Sequence, residues 1–497
     1  MVKVYDHGKL AWQKSTSIPD YLCFTALEAG QFTLTIPAAV TPTYLSYVEW
    51  SKDGRTWNHT DNTSEAVTID VQVASGEKVY WRGSGSGMAY DYSVNKYSVF
   101  SSTGTFDVGG DLRSLLFSDD FENVTTTNQR YCFTGLFYGA SVVDASNLRL
   151  ALTGNSAYMY CFRGCTQLLH APALMEGNTI MQWQFHSTYD GCTNLVTGTD
   201  LQATSVGVRG CYYTYKSCTS LVKAPNISSI TTISNGGLSA MFHGCSSLIY
   251  IKCLATSLYD DGDASHFATY NWVAGVSSTG TFIQAEGVTW PRGASGIPTG
   301  WVDIEKRTMP SGYKQLLQVT SNGTAYIQLS FGFEETDEVA ATFSVDTSQT
   351  TDKYIVCPQT WNNNSNRYGM GVHNYGQYTA AFGNRSTGNT ILAPRTSNDG
   401  ELHNWTYAAA TFAVTDKSCS INITGYTFGG ITTNLRLFYG YNSNTKGAIS
   451  SYKHIKGSTT ACDFVAAIRE SDNTAGLYDL ANNEFMTCNG LTAGEEI

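Results

Sequence analysis

The chain has 497 residues, of which 42% are hydrophobic and only 14% charged, with a formal charge of −11 and a pI near 5.3. That length exceeds a single core and suggests about three domains, while the acidic balance and the absence of a Lys/Arg cluster exclude a phosphate-reading groove. No apolar run approaches the roughly 20 residues of a membrane-spanning helix. Plentiful aromatics beside Ser, Thr, Asn and Gly exclude disorder and fit β-rich extracellular or virion surfaces.

The first 20 residues, "MVKVYDHGKLAWQKSTSIPD", carry neither an apolar h-region nor a small-residue cleavage site. They are expected to dock the chain, through its N-terminus, to a larger assembly made in the cytosol and freed by lysis. Residues 21–100 read as a small β-sandwich. "YVEWSKDGRTWNHT" is two strand-like runs about Asp53-Gly54, a pair favoured in two-residue type I′ turns. "VTIDVQV" alternates apolar and polar residues from Val67 to Val73, and "KVYWRG" from Lys78 closes the module. Trp50, Trp57 and Trp81 are expected to lie in or half in its core.

A repeat follows. "FRGCTQL" at 162–168 returns as "YDGCTNL" from Tyr189, "YKSCTSL" from Tyr215 and "FHGCSSL" from Phe242. Cys165, Cys192, Cys218 and Cys245 are 27, 26 and 27 residues apart, and a weaker copy, "FYGASVV", puts Ala140 in the cysteine position 25 residues earlier. Such fixed periods mark stacked repeats, each completing its neighbour's core. Phe162, Tyr189, Tyr215 and Phe242 are expected to form one apolar ladder and Leu168, Leu195, Leu221 and Leu248 another, with the cysteines filling the gap. Gly164, Gly191 and Gly244 suit a tight bend, although Ser217 stands in the same place. The runs after each leucine are expected to supply one strand per coil. Stacked strands lie about 4.8 Å apart, within disulfide reach, so both reduced thiols acting as small hydrophobes and disulfides are compatible with the sequence. The 13 cysteines form no CxxC pair, which gives a zinc ribbon or thioredoxin-like motif no support.

The aromatic-x-x-Cys-Thr-Ser-Leu unit resembles the BspA-like leucine-rich repeat of bacterial and phage surface proteins. The resemblance covers about residues 100–302 and implies that each motif forms a short helical turn leading into a strand. "GTFIQAEGVTWPRGASGIPTGWV" (280–302) is similar to the segment that closes such arrays, and the module at 21–100 to the one often placed before them.

"DIEKRTMPSG" (303–312) reads as a linker. From Tyr313 the chain shows many short β-like runs with Gly/Asn turns, the rhythm of an all-β sandwich. Its ending, "CDFVAAIRESDNTAGLYDLANNEFMT", resembles the close of concanavalin/LamG-like jelly rolls, through Asp463–Val465 and Gly476–Phe485. The fold expected is therefore mainly β and multidomain: docking segment (1–20), small immunoglobulin-like β-sandwich (21–100), leucine-rich-repeat solenoid (101–302), linker (303–312) and jelly-roll β-sandwich (313–497).

Chemistry-bearing motifs are sparse. "FEETDEV" (Glu334, Glu335, Asp337, Glu338) lacks the apolar alternation that would aim paired carboxylates into a cleft and reads as a solvated turn. Asp260, Asp261 and Asp263 in "YDDGDASH" lack the Glu and the length of an EF-hand loop. His170, His186 and His243 sit at non-equivalent repeat positions, so no histidine ladder forms. No catalytic, cofactor or metal residue is assigned. Recognition chemistry is better represented: Trp361, Arg367, Tyr368, Tyr375 and Tyr378 in "WNNNSNRYGMGVHNYGQY" offer flat rings beside amides and a guanidinium, suited to sugar rings or a protein interface. "CYYTYKS" offers Tyr212 and Tyr213, with Tyr215 assigned to the core. The expected function is that of a non-enzymatic phage fibre or spike subunit, a homotrimer on the virion surface. It would bind host polysaccharide or protein and contact other virion proteins, without nucleic acid, cofactor or membrane insertion. A bacterial adhesin and a glycan depolymerase are the alternatives.

Overall fold

The computed structural model describes residues 2–6, 9–13, 18–38, 45–62, 65–91, 96–127, 130–151, 154–175, 177–323, 326–329, 337–345, 353–358, 366–373, 377–384, 391–397, 403–408, 411–414, 419–422, 435–437, 439–440, 443–444 and 446–497. Side chains are described for most of these up to 345, for 403–405 and 437, and from 447 onward. The described residues are mainly β-strand in several sheets, with one four-residue α-helix, Ser114–Phe117. They divide into two compact units: residues 1–280 with 288–298, and residues 281–287 with 299–497.

The first unit opens with a hairpin of Val2–Asp6 on Lys9–Gln13. Two antiparallel sheets follow. One holds Val99–Ser102, Gly30–Ile36 and Val67–Val73, and the other Phe106–Asp111, Leu22–Ala26, Lys78–Gly85, Leu45–Ser51 and Asn58–Asp61. Period-two alternation buries Ile69, Val71 and Val73 and exposes Thr68, Asp70 and Gln72. Phe24 is the hub of the core, with Phe32, Trp81, Phe100 and Phe106 at ring-centroid distances of 5.4, 5.7, 4.7 and 5.1 Å. Trp81 is fully buried, whereas Trp50 and Trp57 are half-buried. Asp53-Gly54 does not make the expected two-residue turn. The strands Leu45–Ser51 and Asn58–Asp61 are joined by a longer loop, in which the Asp53 carboxylate accepts the N–H groups of Arg55 at 2.8 Å and Thr56 at 2.7 Å.

Phe106–Asp111 also pairs in parallel with Asn147–Arg149, so this sheet runs directly into the repeats. There the expected helical turn is absent. In each copy the residues nine, five and one before the cysteine position have left-handed φ. They are Ser156, Tyr160 and Gly164 at 58°, 57° and 73°, then Trp183, Ser187 and Gly191 at 58°, 50° and 80°, and Arg209, Tyr213 and Ser217 at 51°, 57° and 60°. A left-handed residue every fourth position cannot propagate a right-handed helix. The chain instead builds a flat wall of consecutive turns. Alternate N–H groups donate to the next coil (Tyr158 to Gln184 O, Tyr160 to His186 O, Phe162 to Thr188 O, each at 2.9 Å), and those between donate three residues back, as Cys161 does to Tyr158 O at 3.1 Å. Backbone donors and acceptors of the wall are thereby used up without helix or strand.

Side chains follow the same period of four. Val208-Arg209 reach solvent, Gly210-Cys211 are buried, Tyr212-Tyr213 are half-exposed, Thr214-Tyr215 are buried, Lys216-Ser217 are half-exposed, and Cys218 is buried. Inside, Phe100, Phe137, Phe162, Tyr189, Tyr215 and Phe242 stack in near-parallel order, 5.7, 4.9, 5.7, 5.2 and 5.7 Å apart. Beyond Phe242 the order breaks to a tilted contact with Trp272 at 6.1 Å and 52°, and Trp272 stacks on Trp290 at 5.5 Å. Leu168, Leu195, Leu221 and Leu248 are fully buried. The strand expected after each leucine forms after Leu248, as Tyr250–Cys253, whereas the runs after Leu168, Leu195 and Leu221 are held mostly by isolated parallel bridges such as His170 to Thr197 and Lys223 to Tyr250. The continuous parallel ladder forms further along the coil, through Thr179–Ile180, Ser205–Val206, Thr232–Ile233 and Ser257–Leu258.

Both ends of the stack are covered. Met88 and Phe100 donate their N–H groups to the first coil's carbonyls at Cys132 and Leu136, at 2.6 and 2.7 Å. At the far end Val273 donates to Ala294 O at 3.1 Å, Asn271 to Ser295 Oγ at 2.9 Å and the Trp272 indole to Gly296 O at 2.7 Å.

The second unit is dominated by two large antiparallel sheets. The larger runs Cys419–Asn422, Thr411–Val414, His403–Ala408, Glu338–Val345, Lys446–Lys456, Thr459–Arg469, Thr474–Asp479 and Glu484–Met486, with Tyr313–Gln315, Val319–Asn322 and Leu491–Ala493 alongside. The smaller runs Ile327–Gln328, Leu435–Leu437, Lys353–Pro358, Asn366–His373, Gln377–Asn384 and Ile391–Ser397. Part of the expected linker is itself a strand, Trp301–Lys306, and Arg307 beside it pairs with Glu286 at 3.0 Å and Asp463 at 2.9 Å. The "GLYDLANNEF" ending is a hairpin. The buried Asp479 carboxylate accepts N–H groups from Asp463, Ala481 and Asn482 at 3.0, 3.0 and 3.3 Å, and Asn483 takes the left-handed turn position at φ 57°.

Candidate binding face on the stacked repeats

The outward rows of the wall gather rings and cations contributed by three successive coils. Trp183, His186 and Tyr212 lie within 5.0, 5.3 and 5.8 Å of one another in pairs. Tyr160 joins through His186 at 5.1 Å, and Tyr213 through Tyr212 at 4.1 Å. The Arg209 guanidinium stands 5.2 Å from the Trp183 centroid and 5.6 Å from that of Tyr212, Arg163 stands 5.1 Å from Tyr160, and Lys216 4.8 Å from Tyr213. Each cation–π contact contributes about 0.5–1 kcal/mol at such exposure.

Left-handed residues with side chains recur throughout the wall, and most of the large ones fall in this patch. A left-handed residue other than Gly costs about 1–2 kcal/mol, yet Tyr160, Trp183, Arg209 and Tyr213 all occupy such positions. In the column next to the cysteine, where a Cβ on Gly164 or Gly191 would meet only a glycine Cα of the preceding coil at 3.9 Å, glycine is the rule. Space does not forbid a side chain there. The large side chains therefore stand where glycine would be easier, and strained residues of this kind concentrate at functional sites.

His186 sits beneath the rings, 7% exposed, with no partner at Nδ1. Burial, then the positive charges of Arg163 and Arg209, push its pKa down to about 4, so the ring is neutral at pH 7. Asp190, 8% exposed, is the acidic member of the patch and pairs with Arg163 at 3.2 Å.

The repeat cysteines are packing residues of the core. The described ones are free thiols. Cys165, Cys192, Cys218 and Cys245 are fully buried and donate S–H to the carbonyls of Phe137, Phe162, Tyr189 and Tyr215 one coil back, at 2.9, 3.1, 3.2 and 3.0 Å. Burial raises all four thiols, Cys165 and Cys245 to about 12, which removes the thiolate needed for nucleophilic or metal chemistry.

Asp337 is not on a solvated turn. It is 1% exposed and accepts from His454 Nε2 at 2.8 Å, while Tyr452 Oη and His454 Nδ1 lie 2.9 Å apart. A neutral imidazole donating to the carboxylate and accepting from the phenol satisfies this arrangement, and burial lowers the His454 pKa accordingly. Glu338 begins a strand, and Glu334 and Glu335 lie outside the described residues. The carboxylates of Asp260, Asp261 and Asp263 accept the N–H groups of Gly262, Asp263 and Ser265 at 2.9, 3.0 and 2.9 Å. Among the described residues no cluster suits a metal ion.

Of the ligand-binding residues expected in the C-terminal unit, Trp361 and Tyr375 lie outside the described residues. Arg367 and Tyr368 fall on Asn366–His373 and Tyr378 on the neighbouring Gln377–Asn384, their backbones in register opposite Gly383, Phe382 and Val372. The sequence singled out Tyr212 and Tyr213 but not Tyr160, Arg163, Trp183, His186 or Arg209. Aligning the copies by column brings them together: Ser156, Trp183, Arg209 and Gly236 share one column, Met159, His186, Tyr212 and Ser239 a second, Tyr160, Ser187, Tyr213 and Ala240 a third, and Arg163, Asp190, Lys216 and His243 a fourth. Comparison of the chain with family models, curated proteins and solved structures finds no match.

Proposed function

We propose that this chain is a non-enzymatic attachment protein, a bacteriophage fibre or spike subunit that binds glycan on the host cell surface. In this reading residues 101–302 are a solenoid of the leucine-rich-repeat kind, whose wall carries the binding face, and residues 313–497 are a jelly-roll sandwich. The subunit trimerises on the virion and meets other virion proteins through residues 1–20. The observation that carries the reading is the cluster of Tyr160, Trp183, His186, Tyr212 and Tyr213, held half-exposed or shallowly buried on a hydrogen-bonded wall. Rings fixed on a rigid scaffold stack on a ligand without a further ordering cost. Purified chain added to host cells should block adsorption of the virion that carries it, and the Trp183→Ala/Tyr212→Ala chain should not. Equal blocking by both would remove this face from attachment. Detection of the chain in uninfected cells, and not in purified virions, would replace the fibre with a bacterial adhesin.

A further inference from the structure

We infer that the face from Arg163 to Lys216 takes an acidic polysaccharide, its sugar rings lying on Tyr160, Trp183 and Tyr212 and its anionic groups met by Arg163, Arg209 and Lys216. This deepens the attachment reading and rests on it. The Arg209 guanidinium is held between two rings, 5.2 Å from Trp183 and 5.6 Å from Tyr212, and has no ion pair among the described residues. Its planar fork is therefore free to meet a carboxylate or phosphate in bidentate fashion. The chain as a whole carries −11, yet this patch presents two guanidiniums and an ammonium against one carboxylate, Asp190, already engaged by Arg163 at 3.2 Å. At the centre lies His186, 7% exposed and ringed by Tyr160, Trp183 and Tyr212, with an unpartnered Nδ1 below the rings.

The same features disfavour other macromolecules. Rings and Arg alone would also suit a protein partner, but the core of such an interface is depleted of charge and of Lys, whereas here Arg163, Arg209 and Lys216 stand over Tyr160, Trp183, Tyr212 and Tyr213. A nucleic acid would need many more phosphate-neutralising groups than three. Aromatic faces beside cations on successive coils, with Arg209 lacking an ion pair among the described residues, suit a chain of hydroxylated rings carrying a regular negative charge.

The test uses the full chain in affinity electrophoresis against polygalacturonate, hyaluronate, polysialate and a ribitol-phosphate teichoic acid, with dextran as the neutral reference. At least one acidic polymer should retard the chain about tenfold more strongly than dextran, lose that advantage at high salt, and fall about tenfold with Arg209→Gly. Because Gly is the unstrained residue at that left-handed position, the variant should melt no lower than the parent, which separates lost binding from lost fold. Retardation no greater than dextran for all four polymers, or retardation unmoved by Arg209→Gly, overturns the inference. If cell adsorption still falls with Trp183→Ala in that case, the attachment reading stands and only the acidic ligand is lost. Polymer binding that depends on Arg209 in a chain that adsorbs to no cell would leave the site and remove attachment. Adsorption abolished by protease treatment of the cells would point to a protein receptor and overturn the inference.

Discussion

In the stacked repeats a buried thiol donates to a carbonyl one coil back; in the C-terminal unit a buried carboxylate holds a histidine, which in turn meets a tyrosine. The first arrangement is weak, neutral and copied four times. The second is charged and occurs once among the described residues. The difference is one of risk. A neutral contact repeated along a stack can be lost at one coil with little consequence, as Ala140 in place of a cysteine illustrates. A buried carboxylate has no substitute, because the desolvation of its partners is offset only while it is present.

Removing Asp337 should therefore have the largest effect. Asp337→Ala leaves the buried N–H of a neutral His454 and the nearby Lys456 without their carboxylate and is expected to destabilise the C-terminal unit by up to about 3 kcal/mol. Hydrogen exchange along Glu338–Val345 reports it; protection unchanged there would show the network to be dispensable and erase the contrast. Acid comes next, this time in the repeats. Burial and the nearby Arg163 and Arg209 hold the folded His186 pKa at about 4, below the ordinary imidazole value of about 6.5. The unfolded chain thus takes up the proton first, and stability is lost as pH falls from 6.5 toward 4, by up to about 1.4 kcal/mol per pH unit. Denaturation midpoints of the parent and of His186→Phe should diverge across that window and coincide above it. Cys218→Ala should cost about 1 kcal/mol, the net worth of one modest hydrogen bond, seen as faster exchange in the two adjoining coils only. A loss spread through the whole unit would mean that the repeats are as tightly coupled as the charged network. Smallest is Arg209→Gly, where relief of the left-handed backbone is expected to raise stability by up to about 1 kcal/mol. A fall in melting temperature would show instead that the cation–π contacts outweigh the strain.

How much of this could be read in the sequence follows from which periods it displays openly. The 26–27-residue recurrence of aromatic, cysteine and leucine marked the stacked core, and Phe162, Tyr189, Tyr215 and Phe242 form one continuous ladder. The wall escaped because its two-out, two-in order matches neither the 3.6-residue helix nor the two-residue strand; "VRGCYYTYKSC" carries it without resembling either. Asp337 looked solvated because its neighbours in "FEETDEV" are charged, and its partner His454 lies 117 residues away. The candidate face of rings and cations was half-visible: Tyr212 and Tyr213 adjoin in sequence, whereas Trp183 and Arg209 meet only because one coil of chain separates them.

The wall has one more consequence. From coil to coil its linking N–H groups all point toward the later coil and the accepting carbonyls back toward the earlier one. Each such peptide carries a dipole of about 3.5 D, and here the dipoles add along the stack instead of cancelling as they do in a sheet. The stack thus has a sense, and its ends need chemically opposite covers. Donors from Met88 and Phe100 close the start, and acceptors at Ala294 and Ser295 close the finish. Whole coils inserted or removed between them leave both covers satisfied. The length of the face is free to vary, while its two ends are not interchangeable.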